Sequence, residues 1–163
     1  MDVLRPLAAA DTAAAVDLIH RAFAVQSVPT DPPSAALRET AGTIGRAIEE
    51  GGGACITVPA TGSMIGAVLW AERDGGLYFG RLAVDPDWRG RGVAKRLVAA
   101  VEAEALRRRI TRLHLSTRLV LLDNRRLFSS CGFREAELRA HAGYAAPTSV
   151  VMEKYLVLPP DPG

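Results

Sequence analysis

A chain of 163 residues, 48% of them hydrophobic, can bury one substantial core, which excludes a disordered or collagen-like protein. A net charge of +2 does not make it a general polycation, and its two cysteines, Cys55 and Cys131, are too few and too widely spaced for a disulfide framework or a zinc site. No stretch reaches the roughly 18 apolar residues of a membrane span, and Met1-Asp2-Val3-Leu4-Arg5 is not the basic start of a signal peptide, so a soluble cytoplasmic protein with reduced cysteines, no membrane partner and no metal is expected.

Val3 to Pro6 reads as a first strand. Asp11 or Thr12 is placed to cap a helix whose apolar residues Val16, Leu18, Ile19, Ala22 and Phe23 lead to Val25. The stretch from Gln26 to Pro33 breaks regular structure, and Ser34 is expected to cap a second helix through Leu37, Thr40, Ile44 and Ile48, ended by Gly51-Gly52-Gly53. Ala54 to Val58, Met64 to Glu72 and Leu77 to Val84 read as strands separated by hairpin turns at Thr61-Gly62 and Asp74-Gly75-Gly76. After Gly92, the apolar residues Val93, Ala94, Leu97, Val98, Val101 and Ala105 recur at helical spacing, and Arg107-Arg108-Arg109 complement the carboxyl end of that helix. A strand from Arg112 to Ser116 follows, so strand, crossover helix and strand imply a right-handed parallel pair. A helix from about Asn124 to Ser130 leads into strands near Phe133 to Arg139 and Ser149 to Leu156. The order is an α/β (α+β) domain over residues 1–158, a mixed sheet between helices, with a short proline-rich tail at 159–163.

The junction Leu82-Ala83-Val84-Asp85-Pro86-Asp87-Trp88-Arg89-Gly90-Arg91-Gly92-Val93-Ala94-Lys95-Arg96 carries the most chemistry. Pro86 stops the strand, and a helix that begins near Gly92 leaves its first N–H groups without intrahelical partners. Those donors and the positive end of the helix dipole favour an anion, and Gly90 and Gly92 let one approach the main chain. Cations at Arg89, Arg91, Lys95 and Arg96 are out of place at a helix N-terminus unless something negative binds there. The G-x-x-x-x-G-K-[ST] and G-x-G-x-x-G patterns are both absent, so neither a P-loop nor a dinucleotide fold is supported.

Arg89-x-x-Gly92-x-Ala94, between a Leu82-x-Val84 strand and a long helix, resembles the acyl-CoA pyrophosphate signature of the GCN5-related N-acetyltransferase (GNAT) superfamily. The block Leu122-Asp123-Asn124-Arg125-Arg126-Leu127-Phe128-Ser129-Ser130-Cys131-Gly132-Phe133 resembles the family's later helix, at the usual separation. The resemblance implies a mainly antiparallel sheet in which the strand ending at Val84 splays from the strand near His114 to Thr117, with the pantetheine arm of acetyl-CoA in the gap. It places the co-substrate on the main chain of Leu82, Ala83 and Val84, on Arg89, Gly90, Arg91, Gly92, Val93, Ala94 and Lys95, and on Asn124 and Phe128. Where many relatives have a tyrosine that protonates the leaving thiolate, this chain has Phe128.

Acyl transfer to an amine is mainly a matter of positioning, with a neutral nitrogen held near the thioester carbonyl. A free alkyl amine has a pKa near ~10.4 and a thiol near ~8.5, so the amine needs a base or a desolvating site more than the thiolate needs an acid. Tyr144, in the polar loop Arg139 to Pro147, is the leading candidate proton donor, with Ser129 and Cys131 as substitutes. His141 is a candidate base, and His114, His20 and Glu72 are weaker ones; Asn124 could cap its helix instead of touching the co-substrate.

The expected partner is an amine-bearing acceptor, and a homodimer is compatible with the chain. Two other readings stand beside the enzyme: an acyl-CoA-binding sensor or partner-binding module, suggested by Phe128, and a nucleic-acid binder. Residues 89–126 hold eleven Lys or Arg against three acids, a local excess of +8, but without interleaved aromatics, a helix-turn-helix pattern or a basic tail, so nucleic acid is the least favoured partner.

Overall fold

The computed structural model describes residues 1–161, so the last two residues of the expected tail lie outside the described residues. In chain order the elements are β1 (Val3–Pro6), α1 (Thr12–Ala24), α2 (Ala41–Glu50), β2 (Gly53–Val58), β3 (Ser63–Arg73), β4 (Gly76–Val84), α3 (Val93–Arg107), β5 (Arg112–Arg118), α4 (Leu122–Ser130), β6 (Arg134–Arg139) and β7 (Ser149–Tyr155). Single 3-10 turns lie at Ala9–Asp11, Ala35–Arg38 and Pro86–Trp88. The seven strands form one sheet in the order β1-β2-β3-β4-β5-β7-β6, in which β4 and β5 are the parallel pair and every other pair is antiparallel. Among the described residues no helix is long and apolar enough to cross a membrane, and no group of three His, Cys, Asp or Glu side chains could hold a metal.

Each face of the sheet carries its own core. On one face Ile56, Val68, Leu77, Phe79, Leu113 and Met152 pack with Val93, Leu97 and Val101 of α3 and with Phe128 of α4. On the other, Cys55, Ala67 and Ala83 pack against Leu18 and Ile19 of α1 and Ile44 of α2. Removing a leucine or isoleucine side chain from water contributes about 1.5–3 kcal/mol, and these are among the most completely buried residues of the chain. A Cβ on Gly66 would sit 2.7 Å from the Val93 Cγ1, so the missing side chain lets the first turn of α3 press onto β3.

Two local expectations need correction. The single helix expected from Ser34 is two elements: Ser34 accepts from the Ala36 amide and starts only the 3-10 turn, while Thr40 caps α2 by accepting from the Thr43 amide. Glu39 and Thr40 between them are extended, and the Glu39 carbonyl is 2.8 Å from the Nε2 of His20 on α1, so a tertiary contact interrupts what periodicity would continue. Asp11 stands at the start of α1 but its side chain makes no cap bond to the helix. Its two carboxylate oxygens accept from Arg5 at 2.8 Å each, and one also accepts from the Ala8 amide.

Those donors, the Arg5 guanidinium first, hold the Asp11 carboxyl below the usual carboxylate range. A carboxylate whose pKa is depressed by folding stabilises the protein above its unfolded pKa, and that contribution is lost as pH falls through the folded value. Asp11→Asn is therefore expected to cost about 1 kcal/mol at pH 7, since Arg5 remains partly in water. In urea unfolding followed across pH, the difference from the parent should shrink below roughly pH 4.

Candidate active site

The site begins where the parallel ladder ends. β4 and β5 pair only at Leu77 with Leu113 and Tyr78 with His114, although β4 continues to Val84 and β5 to Arg118. Beyond Tyr78 the main-chain groups of β4 that face β5 have no strand to bond, and a gap opens. A bulge lies along the parted stretch: Ala67 pairs with Ala83 and Leu69 with Gly80, so one residue of β3 lies opposite Arg81 and Leu82. Arg81 takes the left-handed conformation, φ 51°. This extra residue reverses the facing of everything after it. Leu77 and Phe79 point to the α3 side, Leu82 and Val84 join that cluster, and Ala83 turns to the α1 side.

Two chambers flank the gap. The larger, about 600 Å³, runs along Leu82 and Val84 to Gly90, Gly92, Val93, Ala94 and Lys95, and is bounded by Phe23 of α1 and Asn124 of α4. The smaller, about 230 Å³, reaches between the strands and is lined by Tyr78, Arg81, Thr117, Arg118, Phe128 and His141, among others. Phe23, Gln26, Leu82, Leu121 and Asn124 line both, so the chambers meet across the gap.

At the mouth of the larger chamber, Gly92 precedes α3 with φ 78°, and Gly90 has φ 75°. Nothing lies within 4 Å of where their Cβ atoms would be, so the backbone conformation, not crowding by the protein, selects glycine. The Gly92 carbonyl accepts from the Arg96 amide, which leaves the amides of Val93, Ala94 and Lys95 without intrahelical partners and facing the chamber.

The cations around that turn are less uniform than the sequence implies. Arg96 turns away and pairs with Asp2 at 2.6 Å. Arg89 lines the chamber, but its guanidinium donates to the Val25 carbonyl at 3.0 Å and the Ala22 carbonyl at 3.2 Å, closing the C-terminal end of α1. Arg91 lies over the Trp88 ring at 4.8 Å and does not line the chamber, and Lys95 does line it. The +8 excess over residues 89–126 is reduced in the same way. Arg107 and Arg108 bind Glu104 within the segment, while Arg109 meets Asp161, Arg112 meets Glu153 and Arg125 meets Glu135, so acids from outside the segment offset part of the excess.

The remaining candidates separate by their surroundings. Asn124 is the third residue of α4, not its cap, and faces both chambers. Ala83 is buried against the α1 side, so only its main chain is available to the gap. Phe128 packs edge-on against Phe79 and Phe133 and also walls the smaller chamber. Tyr144, expected beside the acceptor, is 37% exposed, lines neither chamber and donates its hydroxyl to Asp31. His141 does line the smaller chamber, with its Nδ1 against the Thr148 hydroxyl. His114 is a core histidine 2.8 Å from the Arg73 carbonyl, its pKa lowered by burial. Glu72 is exposed beside Arg108, and burial pushes the Cys55 thiol up. Tyr78, Arg81 and Arg118 were not legible as site residues: they gather only because the strands part, and no motif marks them.

The acetyltransferase (GNAT) family model matches residues 15–133 of this chain. No curated protein sequence matches it. Among solved structures, the fold is similar to the ribosomal-protein-S18-alanine N-acetyltransferase from Escherichia coli, with TM-score 0.78 and 20% identity over 100% of this chain and 99% of that one. It is also similar to the PaiA N-acetyltransferase from Thermoplasma acidophilum in complex with coenzyme A, with TM-score 0.77 and 13% identity over 95% and 99% of the two chains. Ard1 from Thermoplasma volcanium gives TM-score 0.77 and 15% identity over 96% and 98%.

Arg89 serves structure as well as charge, and the two roles can be measured apart. Arg89→Gln removes a cation from the C-terminal end of α1, which at a solvent-exposed site costs about 0.5–1 kcal/mol. Urea unfolding of the ligand-free protein should show that loss, whereas a residue that served only a ligand would leave ligand-free stability unchanged.

Proposed function

The chain belongs to the GNAT acetyltransferase family, whose reaction is acyl-CoA-dependent N-acyl transfer, and on that premise we propose that it moves an acetyl group from acetyl-CoA directly to a primary amine. The observation that carries the reading is the continuity of the parted β4–β5 edge with the free amides of α3 through one chamber. The donor set suits the co-substrate. An extended amide-bearing arm can bond the unpaired β4 main chain at Leu82 to Val84 as an added strand would, and a pyrophosphate suits the amides of Val93 to Lys95, with Lys95 as a cation on the chamber wall. Acetyl-CoA supplies the activated acyl carbon; the protein positions and moves protons.

For the proton of the incoming ammonium, His141 is the group of suitable chemistry in the acceptor chamber. The leaving thiolate asks less of the protein. Phe128 has no proton to give, and Tyr78 and Thr117 place hydroxyls in the same chamber. The Tyr144 hydroxyl, committed to Asp31, reads better as a clasp between two loops. The absent hydroxyl at Phe128 is also what favours a second reading, an acyl-CoA sensor that has lost transfer, and an acceptor screen that follows free-thiol release decides between them.

Acetyl-CoA at 100 times its dissociation constant should stabilise the protein by about 2.7 kcal/mol. Gly92→Glu should abolish that shift, because the new carboxylate competes for the anion's amides, at a cost of about 1–2 kcal/mol for a side chain at a left-handed position. A scanning-fluorimetry series without any shift at millimolar acetyl-CoA would remove the proposal. Once an acceptor is found, His141→Gln should lower turnover ~10²- to 10⁴-fold, as loss of an acid–base group does, and Tyr144→Phe less than tenfold; the reverse ranking in steady-state rates would return the proton transfer to Tyr144.

A further inference from the structure

We propose that the acceptor is a small amine carrying a carboxylate, and that Arg81 and Arg118 bind that carboxylate in the smaller chamber. The inference rests on the transferase reading and goes beyond it to the substrate class. At about 230 Å³ the chamber is smaller than the 300–1,000 Å³ typical of sites for drug-sized ligands. Two arginines line it, Arg81 from β4 and Arg118 from β5, and no aspartate or glutamate does. A cationic acceptor such as a polyamine would bring its second charge into a positive wall. An anion would neutralise it, and the planar fork of an arginine matches a carboxylate in two hydrogen bonds.

Neither arginine is held in a close ion pair: Arg118 bonds only carbonyls and the nearest Arg81 contact with a carboxylate is long. Arg118 donates to the main-chain carbonyls of Pro32 at 2.6 Å and Pro33 at 3.4 Å, which hold it in place without cancelling its charge. Asp31, whose charge is felt at Arg118, accepts from Tyr144. Arg81 has only a long contact, 3.6 Å, with Glu39. Its backbone is the second observation. A residue with a Cβ held at φ 51° inside a strand is strained, and such positions persist where the surrounding structure demands them. Here the strained residue is the bulged one, and the bulge is what aims its side chain at the gap. The phosphates of the co-substrate do not account for these cations, because the free α3 amides open on the other chamber.

The test uses the full chain with acetyl-CoA and four amines, glutamate, alanine, alaninamide and putrescine, followed by free-thiol release. Glutamate and alanine should be acetylated with kcat/KM at least tenfold above alaninamide and putrescine. Arg81→Gly removes the guanidinium while relieving the left-handed strain, so it should fold at least as well as the parent, raise the KM of the carboxylate acceptors tenfold or more and leave that of acetyl-CoA unchanged. Arg118→Gln should act in the same direction; should it fail to fold, Arg81→Gly alone carries the test. Equal or better use of alaninamide or putrescine, an unchanged preference in Arg81→Gly, or binding of acetyl-CoA with transfer to none of the four would each overturn the carboxylate proposal while leaving co-substrate binding intact. Absence of any acetyl-CoA binding would overturn the transferase reading, and this proposal with it.

Discussion

One left-handed residue, Arg81, sets the geometry on which the site depends. A β-strand alternates its faces with period two, so a strand without the bulge would send Leu77, Phe79, Arg81 and Ala83 to one side. With one residue inserted, Leu82 and Val84 inherit the side of Leu77 and Phe79, and Ala83 packs under α1. The cores on both faces are thus filled from the same short segment. Beside that segment β4 and β5 pair at only two positions, which leaves a strand edge unbonded in the middle of a seven-stranded sheet. A bare internal edge costs free energy unless water or a ligand satisfies it. That cost is the structural form of a binding site.

The α3 helix completes the site through charge. Its carboxyl end is closed by Arg107 and Arg108 on Glu104, the arrangement a helix dipole favours, whereas its amino end has no acidic residue in the first turn. The positive end is therefore left open into the larger chamber. Arg96 and Arg89, which add to the apparent basic cluster, are taken up by Asp2 and by the end of α1. The basic turn is thus in part a clamp: Arg89, together with Arg21 on Asp85 at 3.0 Å, ties α1 to the loop that enters α3.

The walls of the smaller chamber come from segments far apart in the chain, held by a few polar contacts. Arg118 fastens the Pro32–Pro33 stretch to β5, Tyr144 fastens Asp31 to the β6–β7 loop, and His20 fastens Glu39 to α1. The irregular stretch between α1 and α2 is consequently tied at several points, which lets it serve as a wall. A loop that is positioned by a rigid scaffold is where specificity is most readily carried.

Most of what is local was legible. The three central strands, the helix after Gly92, the hairpin turns and the glycine turn itself follow from apolar period, turn residues and unpartnered amides, all of which act within a few residues. The larger chamber is lined by nine of the residues expected at the co-substrate site, Leu82, Val84, Arg89, Gly90, Gly92, Val93, Ala94, Lys95 and Asn124. Where a distant group competes, the local reading fails: His20 holds Glu39 and divides one expected helix into two elements, and Arg5 takes Asp11 from its helix. The sequence by itself determined the kinds of element and the glycine turn with its unpartnered amides, because helix caps, hydrophobic periods and glycine conformations are short-range properties. Only the tertiary structure decided which cations pair with which acids and that Arg81 and Arg118 line one chamber, because ion pairing and strand parting depend on residues that meet through folding and are remote along the chain.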